Sequence, residues 1–224
     1  MAWDLPALAG VRVIDATSTA AGQLCGRLFA DYGAEVILVE HPDGTATRLE
    51  SPFDDKASLL FRHLNQGKAG FTWRPGDTTS DRDLGRLLRE ADIVLADAAD
   101  PIAAGAGDKI VCWVSDFGEH GPYKGWRGGE IVHQALSGVM FTTGAQEREP
   151  LYGVGRRTAY ACGATAYISC LAALIWRDRT GESQGGCQNR PVLRIPLAEP
   201  FPGLRFELTV NVASDHLHQT SQGA

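Results

Sequence analysis

The sequence predicts an α/β protein with a mostly parallel sheet, and three observations carry that expectation. Before His41 a strand, a helix and a second strand follow in succession; two further β-branched runs, over 92–96 and 109–114, are bounded by turn residues; and helical periodicity separates and follows them. Residues 11–15 (Val-Arg-Val-Ile-Asp) alternate as a short strand, 22–32 read as a helix, and 35–40 (Glu-Val-Ile-Leu-Val-Glu) form a second strand, which together make a βαβ unit. Gly33 stands just past the helix, where a left-handed C-terminal cap belongs.

A polar loop over 41–48 comes next, then an apolar patch at 59–64 and a strand at 69–73. Ser80 with Asp83 three residues on has capping-box spacing, and Leu84, Leu87 and Leu88 supply that helix's apolar stripe. The runs at 92–96 and 109–114 have the composition of buried parallel strands, bringing the sheet to at least five. From Glu130 onward Ile131, Val132, Ala135, Leu136, Val139 and Met140 recur at helical spacing, with the carboxylate in the first turn where the helix dipole favours it. Residues 158–176 carry no charge and are nearly long enough to span a bilayer, but Gly163, Thr165, Ser169, two cysteines and two tyrosines leave them only mildly apolar, so a buried helix is expected. Beyond Gly181, glycines and prolines break every periodic run, and 204–212 alone reads as a strand.

Composition narrows the function classes. The chain has 224 residues, 44% hydrophobic and 21% charged, enough for a real core. Its 21 basic residues against 27 acidic ones give a formal charge of -6, a poor electrostatic match for nucleic acid, so an anionic ligand needs a local cluster of basic side chains. The five cysteines (Cys25, Cys112, Cys162, Cys170, Cys187) are odd in number, scattered and without a CxxC, which speaks against disulfides and zinc. Cys112 lies in an expected strand and reads as core. His63, His120, His133, His216 and His218 show no ligand or triad spacing, so no metal is expected. No secretory pattern opens the chain, and the cytoplasm is the expected location, with no membrane span.

A strand-turn-helix followed by a strand ending in an acid, Glu40, is the layout of a dinucleotide site, where that acid holds a ribose hydroxyl. The glycines do not follow: the turn reads Ser18-Thr-Ala-Ala-Gly22-Gln-Leu-Cys-Gly26 and lacks GxGxxG, which leaves an NAD-dependent oxidoreductase as an alternative only. Ala20, Ala21 and Gly22 still allow a ligand's close approach at the helix start.

Several blocks together carry a resemblance. Leu8-Ala-Gly-Val-Arg-Val-Ile-Asp15 leads to Leu28-Phe-Ala-Asp-Tyr-Gly-Ala-Glu-Val-Ile-Leu-Val-Glu40-His-Pro. Thr47-Arg48, Asn65-Gln-Gly-Lys68, Phe117-Gly118, Gly121-Pro122-Tyr123, Gln134-Ala-Leu-Ser-Gly138, Thr143-Gly144, Leu171-Ala-Ala-Leu174 and Arg179-Thr-Gly181-Glu-Ser-Gln184 follow in order. Over 8–184 the chain resembles the family III CoA-transferases, which include formyl-CoA transferase and the CaiB/BaiF group. The resemblance implies a Rossmann-like mostly parallel sheet, the amino-terminal part of that family's large domain, in two chains interlocked as rings. It also implies acyl-CoA and a small carboxylic acid as substrates, with no permanently bound cofactor.

In such proteins an aspartate attacks the thioester to give a mixed anhydride, which the thiolate re-attacks to form an enzyme-bound thioester. The family places that aspartate four residues before a glycine, at the start of the helix leading to the Leu-Ala-Ala-Leu block; counted back from Gly163, the position here is Ala159, and no carboxylate lies in 156–176. The stretch is similar to that of Asp-less members, such as one subunit of the heteromeric benzylsuccinate CoA-transferase. The racemase branch carries His-Asp where Gly129 and Glu130 stand here, so racemisation is not expected. Glu130 is the remaining catalytic candidate, and Arg48, Lys68 and Arg127 match positions of basic groups near CoA phosphates.

The resemblance stops after Gln184, and residues 185–224 read as an atypical tail, frameshifted or otherwise non-native. The expected function is therefore that of a CoA-transferase family protein, catalytically incomplete alone, working as a homodimer or beside an Asp-bearing subunit. A CoA-binding or assembly subunit without turnover is the alternative from another class.

Overall fold

The computed structural model describes residues 6–97, 100–118, 122–180, 192–196 and 207–209. The chain opens with β1 (Arg12–Ala16), α1 (Ala20–Asp31) and β2 (Glu35–Glu40), the expected βαβ unit, with β1 and β2 parallel in a register that sets Val13 beside Val36. A 3-10 turn (Ala46–Leu49) and the small hairpin β3 (Phe53–Asp54) and β4 (Ala57–Ser58) follow. Next come α2 (Leu59–Leu64) and β5 (Ala69–Thr72), then α3 (Thr78–Glu90) and β6 (Ile93–Asp97). Beyond these lie α4 (Pro101–Ala104), β7 (Ile110–Ser115), α5 (Glu130–Leu136), α6 (Arg157–Thr180), β8 (Val192–Pro196) and β9 (Glu207–Thr209).

The strands stand in the order β5-β2-β1-β6-β7-β8-β9, parallel throughout except that β9 runs antiparallel to β8. The five strands expected before residue 115 are the first five of that order. Because both faces are covered by helices, the central strands are buried almost without interruption, as Val13, Ile14, Ile93, Val94 and Leu95 show at 0% exposure. One face packs Val13, Val36, Leu95 and Cys112 against Phe29 of α1 and Cys170 of α6; the other packs Ile14, Val39, Val94 and Val111 against Leu84 and Leu88 of α3 and Ile102 of α4.

Boundaries moved where local capping outweighed periodicity. Helix α1 begins at Ala20 because the Thr19 hydroxyl accepts from the Gly22 amide. Helix α3 starts at Thr78 under Asp77, whose carboxylate accepts from the Thr79 and Ser80 amides; Ser80, expected as the cap, is inside the helix and takes the Arg74 amide instead. Helix α5 ends at Leu136, short of Met140, since Gly138 turns left-handed at φ 77°. By length and composition α6 is apolar enough to cross a membrane, yet Cys162, Ala166, Cys170 and Leu174 bury it against the sheet and α1, the place of a core helix. The small β9 falls inside the 204–212 stretch, β8 was not foreseen, and the rest of the tail beyond Gly181 lies outside the described residues.

Candidate functional site

The strand order reverses between β1 and β6, the crevice where α/β proteins of this type receive ligands. Three structures converge on its rim: the turn into α1, the entrance of α6, and the loops after β2 and β7.

Helices α1 and α6 pack closely, and Gly163 makes this contact possible. A methyl group on Gly163 would stand 2.5 Å from the Ala21 carbonyl oxygen, and one on Gly22 would stand 2.4 Å from the Thr17 side chain. Ala20, Ala21 and Gly22 are therefore buried by the protein itself, Ala20 in a junction with Leu24 and Leu64 against which Ala159 also packs. The position of the expected nucleophile is thus an apolar contact in the first turn of α6.

A carboxylate does reach that entrance, from a different helix. Glu130 Oε1 accepts from the Thr158 amide at 2.7 Å and Gln134 Nε2 at 2.9 Å, while Oε2 accepts from the Thr158 hydroxyl at 2.7 Å and the Ala159 amide at 3.4 Å. It caps α6 from outside, where the helix dipole favours negative charge. Gln134, fully buried, holds the approach to α6 by donating to the Gly153 carbonyl at 3.0 Å and accepting from the Gly153 amide at 2.9 Å.

The dinucleotide reading meets two occupied positions. Asp97, at the end of β6, accepts from the Ser18 amide at 2.8 Å and from the Ser18 hydroxyl, so an acidic side chain stands where a pyrophosphate would need donors. Burial pushes the Asp97 carboxyl up, partly offset by Ser18. Glu40, the acid expected to hold a ribose, is gripped by Arg48 through Nε at 2.8 Å and Nη2 at 2.6 Å, and the Thr45 amide adds a third contact at 3.2 Å. Burial alone would raise the Glu40 carboxyl, yet Arg48 and Thr45 outweigh it and hold it below its ordinary range.

The three basic candidates fall into different environments. Arg48 lies over the Phe61 ring at 3.7 Å with its side chain 47% exposed, leaving a face of the guanidinium open above the rim. Arg127 is exposed in the segment before α5, close enough to Asp116 to lower that carboxyl. Lys68 is interior: its ammonium meets Asp15 Oδ2 at 2.7 Å, the Gln23 carbonyl at 2.7 Å and Asn65 Oδ1 at 2.8 Å. All three protons have partners, and none is left for a phosphate in this arrangement.

Sequence reading missed this Asp15–Lys68 pair and the amide cluster beside it, in which Gln23 reaches Thr45, Thr47 and Asn65. A lone glutamine among the small apolar residues of α1 was the available signal. It also missed Asp97 and the pairing of Asp116 with His133, which only the fold brings together. Cys25, Cys112, Cys162 and Cys170 are buried, with burial pushing Cys25 and Cys162 up, and none is poised as a nucleophile. Among the described residues no group of three or more side chains is arranged to hold a metal ion.

Residues 8–185 match the family model for CoA-transferase family III. The chain is 31% identical to formyl-CoA:oxalate CoA-transferase of Streptomyces coelicolor, over 80% of this chain and 46% of that one. It is 34% identical to succinyl-CoA:mesaconate CoA-transferase of Haloarcula marismortui, over 80% of this chain and 50% of that one. Among solved structures it is similar to a CaiB/BaiF family protein from Brucella suis, with a TM-score of 0.73 and 27% identity, covering 87% of this chain and 54% of that one. The chain spans about half the length of the relatives it matches.

Proposed function

The chain belongs to CoA-transferase family III, and from that premise we propose that it binds an acyl-CoA and serves CoA transfer between carboxylates without being able to turn over alone. One observation carries the incompleteness. At the entrance of α6, where the reaction needs an oxygen nucleophile, Ala159 offers a methyl group packed toward Ala20, Leu24 and Leu64. The nearby carboxylate of Glu130 has four donors on its two oxygens, which draws its lone pairs toward the helix terminus and away from a thioester.

The substrate set is an acyl-CoA and a small carboxylic acid, with CoA arriving as substrate and no resident cofactor. Arg48 and Arg127 are the cations offered to its phosphates, while Ala20, Ala21 and Gly22, buried in the first turn of α1, offer no open surface to it. The partner is an Asp-bearing chain or a second copy in an interlocked dimer, and the cytoplasm is the place of action, in keeping with five scattered cysteines and no CxxC. The same Ala159 favours a second reading, a CoA-binding or assembly subunit that makes no catalytic contribution.

Incubation with an acyl-CoA and hydroxylamine, followed by mass spectrometry of the peptides, tests the proposal. The wild-type chain is expected to gain no hydroxamate, and Ala159→Asp to gain one at residue 159. Acylation of the unaided wild-type chain, at Glu130 or elsewhere, sinks the incompleteness. Adding an Asp-bearing partner separates the two readings, since only the first expects this chain to raise the partner's turnover.

A further inference from the structure

The segment 127–130, which carries Arg127 into Glu130 at the start of α5, has no side-chain cap of its own: Gly129 is the N-cap and offers none. It is held instead from two other places. The Gly128 amide donates to Asp116 Oδ2 at 3.1 Å, from the turn after β7. His133, one turn into α5, lies with Nε2 at 3.3 Å from the other Asp116 oxygen.

That imidazole is buried, 5% exposed at the side chain, and among the described residues its Nε2 has no well-aligned hydrogen bond; the Asp116 carboxylate, at 3.3 Å, is the charged group it faces. A buried ring nitrogen without a bonded partner is costly unless a charge lies opposite it. The fit is closed from above by Gly128 itself. A methyl there would stand 2.6 Å from His133 Nε2 and 3.1 Å from Phe117 Cζ. Burial alone would raise the Asp116 carboxyl, yet His133, the Gly128 amide and Arg127 more than offset it and hold it low.

We infer that Asp116 and His133 clasp Gly128 between them and thereby set Arg127 and Glu130 in place, acting as positioning residues for the CoA-binding rim. The inference rests on the reading of Arg127 as a phosphate contact, and the clasp is measurable without it. Neither residue touches the ligand: Asp116 acts through the Gly128 backbone, and His133 acts through Asp116.

Hydrogen–deuterium exchange over 127–130 and calorimetric titration with CoA test this together. His133→Phe keeps a buried ring and removes the nitrogen, and Asp116→Ala removes the acceptor while leaving a partly exposed site that tolerates the change. Each is expected to speed exchange at Gly128 by about tenfold or more. Each should also weaken CoA binding by about fivefold, with no added loss when combined with Arg127→Ala. Unchanged exchange at Gly128 in both variants overturns the clasp, whatever happens to affinity. Faster exchange in the two variants, with Arg127→Ala leaving CoA affinity untouched, upholds the clasp and refutes the phosphate role of Arg127.

Discussion

Replacing Lys68 by methionine removes an ammonium but keeps most of the side chain's volume, which isolates the charge as the variable. In the structure the Lys68 side chain is 1% exposed, its ammonium lies 2.7 Å from the carboxylate of Asp15, whose side chain is 0% exposed, and it also serves the Gln23 carbonyl and Asn65 Oδ1. Removing one member of such a pair strands the other, at a cost of about 3–5 kcal/mol. Asp15 keeps the Thr17 amide at 3.0 Å and hydroxyl at 2.6 Å, so the lower end, about 3 kcal/mol, is expected. Urea unfolding at neutral pH measures it, and the double variant Asp15→Asn with Lys68→Met should recover most of the loss, because no buried charge is then unpaired. Gly26→Ala should act in the same direction, since its methyl would lie 2.4 Å from Asp15 Oδ2 and 3.0 Å from Lys68 Nζ. A loss below about 1 kcal/mol, the range of an exposed pair, accompanied by a large drop in CoA affinity, would refute the structural role and return Lys68 to the ligand.

Three further outcomes are expected. Gly163→Ala should destabilise the fold by about 1–3 kcal/mol in thermal unfolding, because its methyl meets the Ala21 carbonyl at 2.5 Å and Leu24 Cβ at 3.0 Å across the helix contact. Asp77→Ala should cost about 1 kcal/mol by leaving the Thr79 and Ser80 amides of α3 without their acceptor. Glu40 is held below its ordinary range, so the stability it contributes is present above the unfolded carboxyl's titration and is lost as pH falls toward the folded value; Glu40→Gln should flatten that acid limb by under about 1 kcal/mol, a small amount because Arg48 is half exposed.

What the sequence disclosed about the fold followed from burial on both faces. Val13, Ile14, Val36, Ile37, Ile93, Val94, Ile110 and Val111 sit in β-branched runs whose composition reports a doubly covered sheet, and all are buried. The helix starts were less legible, because hydrogen-bond partners set them and periodicity does not. Ser80 and Asp83 had capping-box spacing, yet Asp77 stood one turn earlier with a stronger acceptor and took the amides first. Strand β8 escaped notice because Pro191 and Pro196 bracket it; as the partner of β7 it takes its place from the sheet edge, and its local pattern gives no strand signal.

The site was legible as positions and illegible as partnerships. Arg48, Lys68 and Arg127 are alike in a sequence, each a cation within a matched block, and the fold separates them by what lies opposite. Arg48 is braced by Glu40 with a face left open, Arg127 stands exposed beside the clasped Gly128, and Lys68 turns inward to an aspartate fifty-three positions away. The same logic governs the α6 entrance. Ala159 could be found by counting back from Gly163, but that this position is approached by the Glu130 carboxylate follows only from α5 meeting α6, which Gln134 secures by gripping Gly153. A carboxylate so placed stabilises the helix terminus through its amides, and that duty competes with nucleophilic attack for the same lone pairs. Placing an aspartate at 159 would therefore set two carboxylates at one helix end, and their mutual repulsion would loosen Glu130 from its donors as the new side chain ionised.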